Sequence, residues 1–143
     1  MSDKLPSTNR SLPIALIRAR EGVMLPIREM LSETGITEQQ WRVLRVLAEH
    51  GRLDSKTLAA RASLLFPSLT RIAHTLRQKG LIRQTRDEVA RRRQFIDITA
   101  QGQKIIDDNA DRAAEIALGF RQKLGEAEYE TLLDLLARLD PEA

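Results

Sequence analysis

The sequence predicts a mainly α-helical chain carrying one small β-hairpin. Three observations predict it. Apolar residues recur at helical spacing over most of the 143 residues. One pair of short alternating segments, 81–85 and 93–98, brackets a polar tip. Capping residues stand where one periodic stretch gives way to the next.

Residues 1–10 read as a flexible N-terminal arm, and 11–143 as a single domain. Leu12, Leu16, Ala19, Val23, Ile27, Met30 and Leu31 place a first helix over about 12–33. Pro26 lies inside it and clashes with the carbonyl of Gly22, which predicts a kink rather than a break. Thr37 and Gln40 form a capping box for a second helix. That helix buries Trp41, Leu44, Leu47 and Ala48 and stops near Gly51. Asp54 or Ser55 caps a short third helix with Leu58, Ala59 and Ala62 inward. After a turn at 63–66, Pro67 suits the first turn of a fourth helix. Leu69, Ile72, Ala73 and Leu76 share its inner face, and Gly80 ends it. The hairpin follows, with Asp87, Glu88, Val89 and Ala90 at its tip. Thr99 caps a long fifth helix carrying Ile105, Ile106, Ala113, Ile116, Ala117, Phe120 and Leu124. Beyond Gly125 a last helix carries Tyr129, Leu132, Leu133, Leu136 and Leu139.

Composition removes several function classes. The chain has no cysteine, so disulfide scaffolds, thiol catalysis and Cys-based zinc sites are excluded. No apolar run approaches the roughly 18 residues that span a bilayer. The N-terminus MSDKLPSTNR lacks the apolar stretch of a signal peptide, and the expected location is cytoplasmic. His50 and His74 are the only histidines, and no metal-ligand spacing, Gly-rich phosphate loop or nucleophile motif occurs. Neither catalysis, a cofactor nor a metal is expected.

The net charge of +3 conceals an uneven distribution. Residues 1–51 carry net +1, residues 52–98 carry +7, and residues 99–143 carry −5. A basic middle segment points to an anionic partner there.

Helices two to four and the hairpin give the order helix–helix–turn–helix–hairpin, the outline of a winged helix-turn-helix over 36–98. In such motifs the last helix enters the DNA major groove with its N-terminal residues toward base edges. Those residues here are Pro67, Ser68, Thr70, Arg71 and, a turn later, His74. Ser68 and Thr70 suit phosphates or bases, although simple capping also accounts for them. Arg71 suits a bidentate contact to guanine or a phosphate clamp. The wing offers Arg86, Arg91, Arg92 and Arg93 to the minor groove. Charges that protect an exposed strand edge are the plainer reading of the last three.

TEQQWRVLRVLAE, LAARASLLFPSLTRIAHTLRQKGLIRQ and ARRRQFIDITAQG together resemble the MarR family of bacterial transcription regulators. The resemblance covers roughly residues 11–140. IALIRAREGVM followed by TEQQWR is similar to the subgroup named for repression of homoprotocatechuate degradation. The resemblance implies a homodimer in which the N- and C-terminal helices, 11–34 and 99–140, form a dimerisation body. Leu12, Leu16, Leu118, Phe120, Leu124, Leu132, Leu135, Leu136 and Leu139 would be buried there. Two half-sites about one helical turn apart then make a pseudo-palindromic operator. The family usually has an aspartate directly before the paired basic residues of the wing, where it helps hold a wing arginine in place. Ala90 stands at that position here.

The resemblance also implies a small-molecule effector, in many members a phenolic or other aromatic carboxylate. A carboxylate needs a cation and a ring needs apolar walls. Arg18, Arg20 and Arg42 are candidate cations, with Arg20 preferred, and Trp41, Phe66 and Met24 candidate walls. Trp41 equally reads as core, and Glu38 lies four residues before Arg42, the spacing of a helical ion pair. The leading expectation is a sequence-specific DNA-binding repressor released by such an effector. The alternatives are a winged-helix module that docks an acidic protein and an effector-independent DNA-binding regulator.

Overall fold

The structure is a computed structural model and describes residues 4–89 and 93–141. The chain divides into two compact units, one up to Asn109 and one from Ala110 onward.

The first unit begins with a single 3-10 turn at Thr8–Arg10, where the Ser7 hydroxyl accepts from the Asn9 amide. Helix α1 spans Leu12–Leu31 with a proline in its first turn, and it runs on through Pro26. It ends two residues before the expected boundary. There the Ser32 and Thr34 hydroxyls donate to the carbonyls of Glu29 and Leu31, at 2.9 and 2.7 Å, and take up the orphan acceptors.

Helix α2 spans Glu38–His50. Its capping box forms as the sequence predicts: the Gln40 amide donates to Thr37 Oγ1 at 3.2 Å, and the Thr37 amide donates to Gln40 Oε1 at 3.1 Å. Strand β1, Leu53–Asp54, leads into helix α3, Ser55–Arg61. Asp54 supplies the cap of α3, accepting from the Thr57 amide at 3.1 Å. Ser63, in the turn after α3, is the only non-glycine described with positive φ, +54°. Helix α4, Phe66–Gln78, follows with Pro67 in its first turn.

Strands β2, Ile82–Arg86, and β3, Gln94–Ile98, form the expected hairpin, each starting one residue late. The sheet is not a bare hairpin, however. β1 pairs antiparallel with β3, Leu53 opposite Ile96 and Asp54 opposite Phe95, giving three strands in the order β1-β3-β2. Two residues are too few for an alternating pattern to register in the sequence.

Val43, Leu44, Leu47, Leu58, Leu69, Leu76 and Ile96 are the largest fully buried side chains of this unit. Burying a side chain of this size stabilises by about 1.5–3 kcal/mol, so α2, α3, α4 and the sheet share one core. Val43 belongs to it, whereas Ala48 is only half-buried.

Helix α5 spans Ala100–Leu124. Its start is fixed to the hairpin: Thr99 Oγ1 donates to the Gly80 carbonyl at 2.7 Å and accepts from the Gly102 amide at 3.1 Å. Gly102 has no room for a side chain. A Cβ there would strike the Leu81 carbonyl oxygen and lie 2.7 Å from Ile98 Cγ1. In the second unit, Gly125 at φ +96° turns the chain into helix α6, Glu126–Leu139. Arg121 pairs there with Glu126 and Glu130, and its guanidinium carbon sits 4.3 Å from the Tyr129 ring centroid. No described helix is long and apolar enough to cross a membrane.

Candidate nucleic-acid interface

Helix α4 buries Leu69, Ile72, Ala73 and Leu76 against the core. Helical geometry therefore turns Pro67, Thr70, Arg71 and His74 outward, and all four are exposed. Ser68 is half-buried. Thr70 Oγ1 donates to the Phe66 carbonyl at 3.1 Å and keeps its lone pairs for a donor. Arg77 Nη2 lies 3.2 Å from His74 Nδ1, and Arg77 Nη1 donates to Gln84 Oε1 at 2.8 Å, joining α4 to β2. The guanidinium of Arg71 makes no hydrogen bond or ion pair among the described residues.

The arginines around the hairpin divide into tied and untied groups. Arg83 pairs with Asp97 at 3.2 Å across the two strands. Arg52 donates to Thr85 Oγ1 at 3.3 Å and stacks 4.2 Å from the Phe95 ring centroid. Arg93 pairs with Asp54 at 3.3 Å and precedes β3. Arg86, at the end of β2, is exposed with no partner among the described residues. Arg91 and Arg92 lie outside the described residues.

Between α3, α4 and the sheet lies an open cavity of about 640 Å³, lined among others by Lys56, Phe66, Thr70, Gln84, Arg93 and Ile96. Lys56 is exposed and unpartnered among the described residues. Nothing in the sequence singles Lys56 out, because the pattern of α3 marks only its cap and its inner face. Among the described residues of the basic segment 52–98, Lys56, Arg71 and Arg86 are thus untied cations. Untied cations can neutralise phosphates without first breaking an internal pair.

The residues named for an effector do not form one group. Arg20 and Arg42 meet at a common carboxylate: Arg20 Nη2 donates to Glu38 Oε1 at 3.1 Å, and Arg42 Nη2 stands 4.0 Å from Glu38 Oε2. The helical pair expected between Glu38 and Arg42 is present. Arg42 Nε is buried without an acceptor among the described residues. Glu38 also lines a cavity of about 340 Å³ with Arg28, Leu31, Ser32, Gly35, Ile36 and Thr37. Arg18 is exposed, Met24 is half-buried, and Trp41, at 7% exposure, belongs to the core. Phe66 lies in the cavity beside Lys56, so it is not a wall of the Arg20–Glu38–Arg42 group.

The residues named for dimerisation remain uncovered within one chain. Leu12 and Leu16 on α1, Leu118 and Leu124 on α5, and Leu132, Leu135, Leu136 and Leu139 on α6 are all exposed, and Phe120 is half-buried. No residue of α6 is buried.

Residues 36–93 match the model of the MarR family. The HTH-type transcriptional regulator FarR of Neisseria gonorrhoeae is 38% identical over 133 residues, covering 93% of this chain and 91% of that protein. The homoprotocatechuate degradative operon repressor of Escherichia coli is 40% identical over 95 residues, covering 66% of this chain and 64% of its own length. Among solved structures, NadR in complex with 4-hydroxyphenylacetate superposes with a TM-score of 0.79 at 38% identity, covering 97% of this chain and 96% of that one.

Proposed function

The chain belongs to the MarR family of transcriptional regulators, and from that membership we propose a homodimeric repressor that binds a pseudo-palindromic operator and is released by a small aromatic acid. The observation that carries the DNA-binding reading is the outward face of α4. It presents Thr70, the untied Arg71 and His74 beside a hairpin bearing Arg86. Phosphate contacts from Lys56, Arg86, Arg91 and Arg92 supply affinity, and α4 supplies sequence discrimination. Residues 36–98 form the DNA-binding lobe. Residues 11–34 and 99–140 form the dimerisation helices, whose exposed leucines are covered by a second copy. The protein acts in the cytoplasm.

Two observations support the effector. NadR was crystallised with 4-hydroxyphenylacetate, and the repressor of Escherichia coli is named for homoprotocatechuate degradation. In this chain, Arg20 and Arg42 converge on Glu38, and Arg42 Nε has no acceptor among the described residues. A ligand carboxylate there exchanges with Glu38 for the same two cations and satisfies a buried donor otherwise left at a cost of about 1–3 kcal/mol. Release of DNA then requires tighter binding to the lobe arrangement that does not fit the operator.

The test is a mobility-shift titration on the duplex upstream of the gene, at moderate salt. Arg71→Ala should weaken specific binding by about 1–3 kcal/mol. 4-Hydroxyphenylacetate should release the wild type, and the Arg20→Ala variant should respond only at higher ligand concentration. No specific shift, or an unchanged Arg71→Ala titration, overturns the DNA-binding reading. An Arg20→Ala variant as sensitive as the wild type overturns the effector site.

A further inference from the structure

Three arginines in a row, 91–93, follow the tip of the hairpin, and Arg93 meets a carboxylate far from it in the chain. Asp54 uses one oxygen to cap α3, accepting from the Thr57 amide at 3.1 Å, and the other to face Arg93 Nη2 at 3.3 Å. The next two residues repeat the attachment. Asp54 stands opposite Phe95 in the sheet, and Ser55 Oγ donates to the Gln94 carbonyl at 3.2 Å. Arg52 and Arg93 both approach the Phe95 ring, at 4.2 and 5.5 Å from its centroid. Opposite them, the Asp87 amide donates to the Arg93 carbonyl at 3.0 Å and closes the hairpin just before its tip. The returning strand is therefore fastened to the start of α3 at three successive residues, 93, 94 and 95.

We propose that Asp54 is a positioning residue for DNA binding. Acting through Arg93, it fixes the course of the returning strand where it rejoins the sheet. Arg93 is then an internal strut, and the wing's contacts to DNA fall to its other arginines. A carboxylate on a DNA-facing lobe opposes binding by charge alone, so keeping one there needs a compensating structural role.

This inference rests on the DNA-binding reading, and its test exploits a difference in sign. Asparagine caps a helix about as well as aspartate, so Asp54→Asn removes the charge and keeps the cap. Dissociation constants of the full-length protein for operator and for unrelated duplex are measured by fluorescence anisotropy. If Asp54 acts only by charge, Asp54→Asn tightens binding to both duplexes. If it positions the wing, operator affinity falls about three- to tenfold while binding to unrelated DNA holds or rises slightly. Arg93→Gln should reproduce the operator loss, the double variant should be no weaker than either single, and Arg93→Lys should recover most of the affinity. Hydroxyl-radical footprints should lose the wing's protection in Asp54→Asn alone and in Arg93→Gln alone. Arg93 is exposed, so Arg93→Gln tests the pair from the other side should Asp54→Asn unfold. Tighter operator binding by Asp54→Asn, or additive losses in the double variant, overturns the positioning role alone. A wild type with no preference for the operator overturns the DNA-binding reading with it.

Discussion

Lys79 Nζ donates to the Gly35 carbonyl oxygen at 2.7 Å, tying the end of α4 to the link between α1 and α2. The same ammonium stands 3.4 Å from Gln40 Oε1, the oxygen that already accepts from the Thr37 amide in the capping box. One cation thus joins the far end of α4 to the residues beside Glu38.

Lys79→Met keeps the aliphatic stem and removes the donor. Hydrogen bonds to charged groups are worth about 1.5–3 kcal/mol, and the exposure of Lys79 places this one at the low end. Chemical denaturation should show a loss of about 1.5 kcal/mol. The operator response to 4-hydroxyphenylacetate should also weaken, because α4 is no longer tied to the α1–α2 link. An unchanged midpoint with an unchanged response would remove the bridge from consideration.

The proposed covering of α6 by a second copy has a direct consequence for mass. Leu132→Asp with Leu136→Asp places two charges on a face whose leucines are exposed in one chain. Sedimentation should show a dimer for the wild type and a monomer for the variant. Operator affinity should fall by at least about tenfold, since only one half-site is then held. A monomeric wild type at micromolar concentration would contradict the homodimer.

Salt dependence reports which cations touch phosphate. Each phosphate neutralised contributes about −0.9 to the slope of log K against log salt concentration. Lys56→Gln, Arg71→Gln and Arg86→Gln should each flatten the slope by roughly that amount. Arg93→Gln should leave it nearly unchanged, because its guanidinium is occupied by Asp54.

The Asp54 carboxyl is held below the usual range by the Thr57 hydroxyl, against the opposing effect of burial, with the Thr57 amide and Arg93 adding to the lowering. A lowered folded pKa means stabilisation that is complete above the unfolded value, about 3.9, and lost as pH falls through the folded one. Denaturant titrations should find wild type more stable than Asp54→Asn at pH 7, with the gap narrowing below about pH 4. A gap that widens on acidification would have the wrong sign.

Much of the fold is legible in the sequence because local chemistry and tertiary packing agree. Thr37 and Gln40 announce the start of α2, and the spacing of Leu69, Ile72, Ala73 and Leu76 fixes which face of α4 looks outward. Strand β1 is illegible because Leu53 and Asp54 become a strand only through pairing with β3. The same limit governs the sites. Arg93 sits in a run of three arginines that look equivalent, yet it faces a carboxylate 39 residues earlier in the chain. Phe66 and Arg20 are both plausible parts of an aromatic-acid site by residue type, but Phe66 lies in the cavity beside α3, away from the Arg20–Glu38–Arg42 group.

Gly102 makes the junction between the hairpin and α5 a joint without play. The first turn of the helix presses on the Leu81 carbonyl, and the Thr99 amide donates to that same oxygen at 3.1 Å. A pivot there would drive backbone into backbone, so the start of α5 and the base of the wing rotate as one piece. A small twist of the first turn of α5 is thus handed directly to β2 and β3.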